Sequence, residues 1–198
     1  MPKKKQPEKT EVLPPKPVPE EEEKRQVVDG LLQGEFVLTE DSDAARELSN
    51  QSRYGSIENS RVCLSLIEAL FLLEKGKLAI KDRRRHQMTY QEFLRRAIRT
   101  EPNFWVRYCV YRDIRGRGYI VKTALKFGAD FRVYDRGVKP GEDQKKWVVF
   151  PVHEGSTMTW YEFSAKNRVA HSTKKRLLIG CVDAEQDVTY WERKWVRP

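Results

Sequence analysis

The segment "GYIVKTALKFGADFRVYDRG", Gly118 to Gly137, decides how the second half of this chain folds. "YIVKT" and "DFRVY" are short runs of β-branched and aromatic residues on either side of a Gly-bearing connection, so both read as strands. Working outward, "NFWVRYCVYRDIRGRG" precedes them. There Phe104, Tyr108 and Tyr111 form one helical stripe, Asn103 is a candidate N-cap, and Gly116 and Gly118 are stop signals. Downstream, "WVVFPV" reads as a third strand. Thr159 with Glu162 makes a capping box that opens a helix from Trp160 to about Ser172. "RLLIGCVD" is a near-continuous apolar run, as expected of a strand buried on both faces. "VTYWERKWV" ends the chain as a strand with alternate aromatics. Helix, three strands, helix, two strands make a mixed α/β domain.

A second unit lies upstream. "VVDGLLQGEFVLT" reads as two strands around a Gly-bearing turn, and Ser42 can cap a short helix in "SDAARELSNQ". "CLSLIEALFLLEKG" is the strongest helix of this half, with Leu66, Leu70 and Leu73 at helical spacing and Gly76 as its stop. "KLAIK" is then a strand, and Thr89 with Glu92 caps a helix in "YQEFLRRAIRT". Pro102 breaks the chain near that helix end. The expected organisation is a disordered tail over 1–26, a small α/β domain over 27–101 and a second α/β domain over 102–198. The tail assignment rests on six prolines and mixed charge runs in "MPKKKQPEKTEVLPPKPVPEEEEKRQ".

With 38 Lys and Arg against 29 Asp and Glu, the formal charge of +9 favours a polyanionic partner. Cys63, Cys109 and Cys181 are odd in number, far apart and each in an apolar run, so they read as reduced thiols of an intracellular, cytoplasmic protein. No apolar run approaches the roughly 18–20 residues that span a bilayer, and "MPKKKQPEKT" lacks the apolar region of a secretory signal.

Most enzyme chemistries find no support. His86, His153 and His171 have no Cys or His at ligand spacing, which argues against zinc. Asp130, Asp135, Glu142 and Asp143 would suit a metal-dependent nuclease only if they converged from strands, and most read as a solvated loop. No serine sits in a G-x-S-x-G elbow. "RGRGY" lacks the Lys–Ser/Thr ending of a phosphate-binding loop. RNA binding fares better. Cations alternate with aromatics in "YRDIRGRGYIVK", "NRVAHSTKKR" and "YWERKW"; cations hold phosphates while aromatic and guanidinium planes stack on splayed bases.

Three stretches carry a resemblance. "GYIVKTALKFGADFRVYDRG" and "RVAHSTKKRLLIGCVDAEQDVTYW", Arg168 to Trp191, resemble the two signatures of the archaeal tRNA-splicing endonuclease family. "YGSIENSRVCLSLIEALFLLEKGKL", Tyr54 to Leu78, is similar to the N-terminal domain of its archaeal members. The resemblance runs in order over about residues 27–198. It implies a small N-terminal α/β domain followed by a C-terminal α/β nuclease domain. It also implies metal-independent, cofactor-free cleavage of precursor tRNA at a bulge–helix–bulge element. In that reaction the 2′-hydroxyl attacks the adjacent phosphate, leaving a 2′,3′-cyclic phosphate and a 5′-hydroxyl. Assembly into a homotetramer, or a heterotetramer with a structural subunit, is implied as well.

The family's active site is a Tyr, a His and a Lys. The resemblance places the Tyr, a general base, at Tyr134, and the Lys, which steadies the phosphorane, at Lys175 rather than its neighbour Lys174. A tyrosine near its ordinary pKa of about 10 needs nearby positive charge to act as a base, and Lys175, Arg132 and Arg136 are the candidates. The His position falls on Gln144, a departure from the pattern. An amide can donate a hydrogen bond but cannot deliver a proton to the 5′-oxygen. Three accounts stay open: a deliberate replacement of the histidine, a natural variant of reduced activity, or a takeover by His153. A non-catalytic, RNA-binding or scaffold subunit is the alternative function, although such a subunit has no need of Tyr134 and Lys175. Arg168 matches an arginine that stacks on a bulge base, with Trp191 or Arg193 as candidate partners across the groove. His171 matches the family's "AHS" and reads as a structural helix residue. The acidic turn Asp183, Glu185 and Asp187 corresponds to a loop that docks into a basic pocket of another subunit, and the terminal strand would pair edge to edge across a dimer axis.

Overall fold

The computed structural model describes residues 27–125, 128–137 and 145–193. The proposed tail, the loop residues 138–144 with Gln144, and residues 194–198, which include the last three positions of the terminal strand motif, lie outside these. The described residues form two five-stranded mixed sheets and five helices.

The first sheet holds β1 (Val28–Gln33), β2 (Phe36–Thr39), β3 (Ser56–Glu58), β4 (Arg61–Ser65) and β5 (Leu78–Lys81), in the order β3-β4-β2-β1-β5. Only the β1–β5 pair is parallel. Helices α1 (Asp43–Asn50), α2 (Leu66–Glu74) and α3 (Tyr90–Thr100) belong to this half. The expected caps are present: Ser42 accepts from the Ala45 amide, and Thr89 and Glu92 form a reciprocal box.

One expectation needs correction. "CLS" belongs to a strand, and the helix begins only at Leu66, after Ser65 forms a capping box with Glu68. Glu68 also accepts a hydrogen bond from the Gly55 amide at 2.9 Å, so one buried carboxylate fixes both the helix start and the hairpin before it. That hairpin, β3–β4, turns on Asn59 and Ser60, both at positive φ (48° and 66°). Two left-handed residues suit the right-handed twist of a tight hairpin, but serine is an uncommon occupant, so the usual Asn-Gly signal is missing.

The second sheet follows α4 (Phe104–Gly116). It contains β6 (Ile120–Thr123), β7 (Phe131–Tyr134), β8 (Lys145–His153), β9 (Arg176–Val182) and β10 (Val188–Arg193), in the order β10-β9-β8-β7-β6. Helix α5 (Trp160–Ser172) crosses between β8 and β9, the one parallel pair. A parallel pair requires such a crossover, whereas the antiparallel neighbours need only turns. Asn103 does stand at the N-cap of α4, but in a left-handed conformation (φ 53°) and without a side-chain capping bond, contrary to its expected role. The three cysteines are free thiols; Cys109 is buried, and Cys63 and Cys181 are half-buried.

Helix α4 joins the two halves. Its stripe residues Phe104, Tyr108 and Tyr111 are fully buried, in one apolar cluster with residues of both sheets. Tyr111 meets Phe71 of α2 edge-on at 5.8 Å and Phe131 of β7 at the same separation. Burying each such ring stabilises the fold by roughly 1.5–3 kcal/mol. Helix α5 covers the opposite face of the second sheet through a smaller cluster of Ala170, Val148, Phe150 and Leu177.

The far end of α4 is fastened to β10. Tyr190 donates its hydroxyl hydrogen to Asp113 at 2.9 Å, and Asp113 also accepts from Arg117. Burial first, and Asp113 second, raise the Tyr190 phenol well above its ordinary value. A group whose folded-state pKa is raised adds stability below its unfolded pKa, and that contribution drains as pH rises past about 10. Tyr190→Phe should therefore cost about 1 kcal/mol near neutral pH. Its stability should also fall less steeply above pH 10 than that of the parent, as followed by urea unfolding across a pH series. Equal alkaline slopes would refute this assignment.

Candidate active site

The β7–β8–β9 register brings the predicted catalytic residues to one end of the second sheet. Val133 pairs with Trp147, and Trp147 pairs with Arg176, so the end of β7, the start of β8 and the entry to β9 lie side by side. Tyr134 closes β7 and is buried; Lys175 directly precedes β9 and is half-buried. Strands lie about 4.8 Å apart, so the two backbones stand roughly 10 Å from each other.

They also share a face. Val148 and Leu177 turn toward α5, while Trp147, Val149 and Leu178 turn toward α4. Arg132 pairs with Val148, which puts Arg132, and by alternation Tyr134, on the α5 side. Lys175 lines a cleft together with Ala170 and Leu177, which belong to that same side. The register shifts between Val133 and Tyr134, because Tyr134 pairs with Lys145 and Lys146 forms a bulge. Bulges of this type re-aim side chains beside functional sites. Arg136, the other candidate neighbour of Tyr134, lies over the Tyr119 ring at 5.4 Å.

The structure settles how Lys174 and Lys175 are held. Neither belongs to the strand, so alternation does not separate them. Helix α5 ends with Lys174 in the left-handed region (φ 52°). The Lys174 amide donates to the His171 carbonyl at 3.0 Å, and the Lys175 amide to the Ala170 carbonyl at 2.9 Å. This is the Schellman termination, with lysine where glycine is usual.

An open cleft of about 440 Å³ lies at this turn. Ala170 and Leu177 give it an apolar floor, and His171, Lys174, Lys175 and Arg193 line it with nitrogen-bearing side chains. Arg193 reaches it from β10, with its guanidinium 5.3 Å from the centre of the Phe163 ring. Trp191 is 57% exposed; it pairs with Ile179 and so faces the α5 side too. Arg168 is exposed on α5, one turn before His171, outside the lining of the cleft. The arrangement can hold a phosphate against cations while aromatic and guanidinium planes stand ready to stack.

Other predicted residues lie elsewhere. The acidic turn is at the opposite end of β9, about 20 Å away for a strand of this length. There the Asp187 amide donates to the Asp183 carboxylate at 2.8 Å, while Glu185 and Asp187 are exposed. His153, at the last position of β8, pairs with Val182 beside that turn and accepts a hydrogen bond from the Gly155 amide at 3.1 Å. Asp130 and Asp135 stand at opposite ends of β7, the first in an ion pair with Arg107 (2.9 Å) and the second with Lys146 (3.5 Å).

Two residues near the site escaped the reading of the sequence. Lys146 is re-aimed by a bulge that has no local sequence signature. Glu192 lies within the cationic run "YWERKW", yet one of its oxygens accepts from Trp147 Nε1 and from Arg176, each at 3.0 Å. It thereby ties β8, β9 and β10 together at the site end of the sheet. Only the fold shows that these three strand positions meet.

The structure defines a two-sheet α/β chain with a cationic cleft at strand ends, and the comparisons give its family. The sequence model of the tRNA intron endonuclease catalytic C-terminal domain matches residues 104–190. That of the tRNA intron endonuclease N-terminal domain matches residues 28–94. A tRNA-splicing endonuclease of Methanothermobacter thermautotrophicus is 41% identical over 172 residues, covering 86% of this chain and 99% of the relative. One from Thermococcus kodakarensis is 37% identical over 84% of this chain and 96% of its own length. One from Nanoarchaeum equitans is 43% identical over 68% and 90%, respectively. The chain belongs to the tRNA intron endonuclease family. None of its described helices is long and apolar enough to cross a membrane.

Proposed function

We propose that this chain is the catalytic subunit of a tRNA-splicing endonuclease that cuts precursor tRNA at its intron–exon junctions. The observation that supports this reading most is the placement of Tyr134 and Lys175 at the ends of the two strands that flank β8, at one end of the sheet, with Lys175 lining a cationic cleft. Tyr134 takes the proton of the 2′-hydroxyl, whose oxygen then attacks the adjacent phosphorus. Lys175 holds the charge that gathers on the non-bridging oxygens. The bond to the 5′-oxygen breaks, giving a 2′,3′-cyclic phosphate and a 5′-hydroxyl. With Gln144 at the family's histidine position, water must supply the proton to the leaving oxygen, so cleavage is slow. Arg168, Trp191 and Arg193 bind the bulge nucleotides. A precursor tRNA substrate implies an intracellular site of action. The test is cleavage of an intron-bearing tRNA in EDTA, with end-group analysis of the products. Loss of cleavage in EDTA, or 3′-hydroxyl ends, would overturn the mechanism.

The second reading, a non-catalytic RNA-binding or scaffold subunit, draws on Gln144 alone. It expects no cleavage even after Gln144→His.

For assembly we favour a tetramer, homomeric or α₂β₂, in which the acidic turn docks on a second subunit. The exposure of Glu185 and Asp187 in a basic chain supports this. Complementary charge fixes orientation and encounter more than it supplies affinity. Asp183→Lys, Glu185→Lys and Asp187→Lys together should shift sedimentation toward smaller species, and most strongly at low salt. An unchanged profile would refute docking through this turn.

A further inference from the structure

We propose that an arginine face on the first half of the chain is a second RNA contact, which grips the phosphate backbone of double-helical RNA outside the cleavage cleft. It rests on the reading above only for the nature of the substrate. The face has two parts. The first is the turn between β5 and α3, "KDRRRHQ". It is closed by the Lys81–Gln87 bridge and by a bond from the Asp82 amide to the His86 carbonyl at 2.9 Å. Asp82 turns its carboxylate inward, accepting from the amides of Arg84 (2.8 Å) and His86 (2.9 Å). Arg83, Arg84 and Arg85 are left exposed at the tip.

The second part is the outer side of α3. Phe93 and Ala97 bury its inner side, so Arg95, Arg96 and Arg99 emerge on the other. Glu92, the acid nearest them on the helix, is engaged in the cap and accepts from the Thr89 amide and hydroxyl at 2.8 and 2.9 Å. Those bonds first, then the charges of His86 and Arg95, hold its carboxyl below the ordinary range. The end of the turn therefore lies near the first turn of the helix, and both sets of arginines are exposed on this β5–α3 segment.

Both acids within the face are thus committed to backbone or cap. Among the described residues no ion pair neutralises the six arginines. Like charges at this density repel one another, and an anionic partner relieves that repulsion. Guanidinium forks suit phosphate oxygens. The exposed positions of the turn and of α3 carry no Phe, Tyr or Trp, the His86 imidazole being the one exposed ring among them, and the one large apolar side chain exposed on α3 is Ile98. Without a Trp, Tyr or Phe platform such as Trp191 beside the cleft, the face favours phosphate contacts over the stacking of splayed single-stranded bases. It fits the backbone of a duplex, which proteins recognise by shape and phosphate contacts. The face belongs to the first half, whereas the cleft is at the strand ends of the second sheet, so one RNA engages both only if its helix extends beyond the cut.

The test compares two labelled RNAs binding to the full chain across a salt series. One is an intron-bearing precursor tRNA; the other is a short RNA with only the two-bulge motif and a few flanking pairs. Two variants are used: Arg84→Gln with Arg85→Gln on the turn, and Arg96→Gln with Arg99→Gln on the helix. Each should weaken precursor binding about tenfold and lower the slope of log K against log salt by about 1–2, as loss of one or two phosphate contacts requires. Binding of the short RNA should not change, and lysine at the same positions should restore most of the loss. Unchanged affinity and slope for the precursor would overturn the proposal. So would an equal loss on both RNAs, which would assign these arginines to the general field of the protein. Because binding is read, the result stands even if the parent chain cuts neither RNA.

Discussion

Gln144→His is expected to raise single-turnover cleavage of an intron-bearing tRNA by about 10²–10⁴, the usual contribution of a positioned general acid. The leaving 5′-oxygen departs as an alkoxide unless it is protonated, and an amide has no proton to give at neutral pH. Glutamine and histidine have similar reach, so the substitution should not disturb the loop that joins β7 to β8. Tyr134 and Lys175, the other two proposed catalytic residues, stand at the ends of β7 and β9, on either side of the start of β8. A second signature should accompany the gain. The pH–rate profile should acquire a limb near the ordinary imidazole pKa of about 6.5, with activity falling as the imidazolium loses its proton at higher pH. Neither a gain nor a new limb would leave the scaffold reading standing and sink the missing-acid account. His153 does not compensate, because it occupies the other end of β8 and accepts a bond from Gly155 there.

Lys175→Ala, made in the Gln144→His background, should lower kcat by about 10²–10³, the typical cost of removing one group that stabilises transition-state charge. KM for the RNA should change much less, because Lys174, His171 and Arg193 still line the cleft. The split between kcat and KM is what separates a catalytic lysine from one cation among several. Lys174→Ala is the built-in control, since it removes an adjacent positive charge from the same cleft. If both alanine variants lose the same amount through KM, the special role of Lys175 is refuted. Fold integrity is readable independently, since Lys175 is only half-buried and its substitution should leave the melting transition in place.

How legible the fold was depended on where its determinants lie along the chain. Caps are local: Ser42, Thr89 and Thr159 each bond to a residue three positions on, so their helices could be placed from the sequence. The β3–β4 hairpin could not, because its turn uses Asn59 and Ser60 in place of a glycine, and because its anchor, Glu68, acts from a helix 13 residues after Gly55. Asn103 shows the reverse error, a residue of capping type that bends the backbone itself and leaves the cap unmade. The site divides in the same way. Tyr134 and Lys175 were nominated through family resemblance; spacing alone could not join residues 41 positions apart. Their common face emerged only from the register of three strands, and the Lys146 bulge and the three-strand tie of Glu192 are invisible without it.

The termination of α5 has one further implication. Tyr134 takes its position from the sheet, but Lys175 takes its position from a helix, through the bond of its amide to Ala170. The two halves of the proposed chemistry are therefore mounted on different rigid bodies, and the β8–α5–β9 crossover fixes the distance between them. Each helical residue adds 1.5 Å of length and 100° of rotation. The length of α5 thus acts as a gauge: one residue more or fewer would swing the lysine out of line with the tyrosine while leaving the strand after it free to pair as before. In this chain the thirteen-residue span from Trp160 to Ser172 is the measure that sets where the lysine stands relative to the tyrosine.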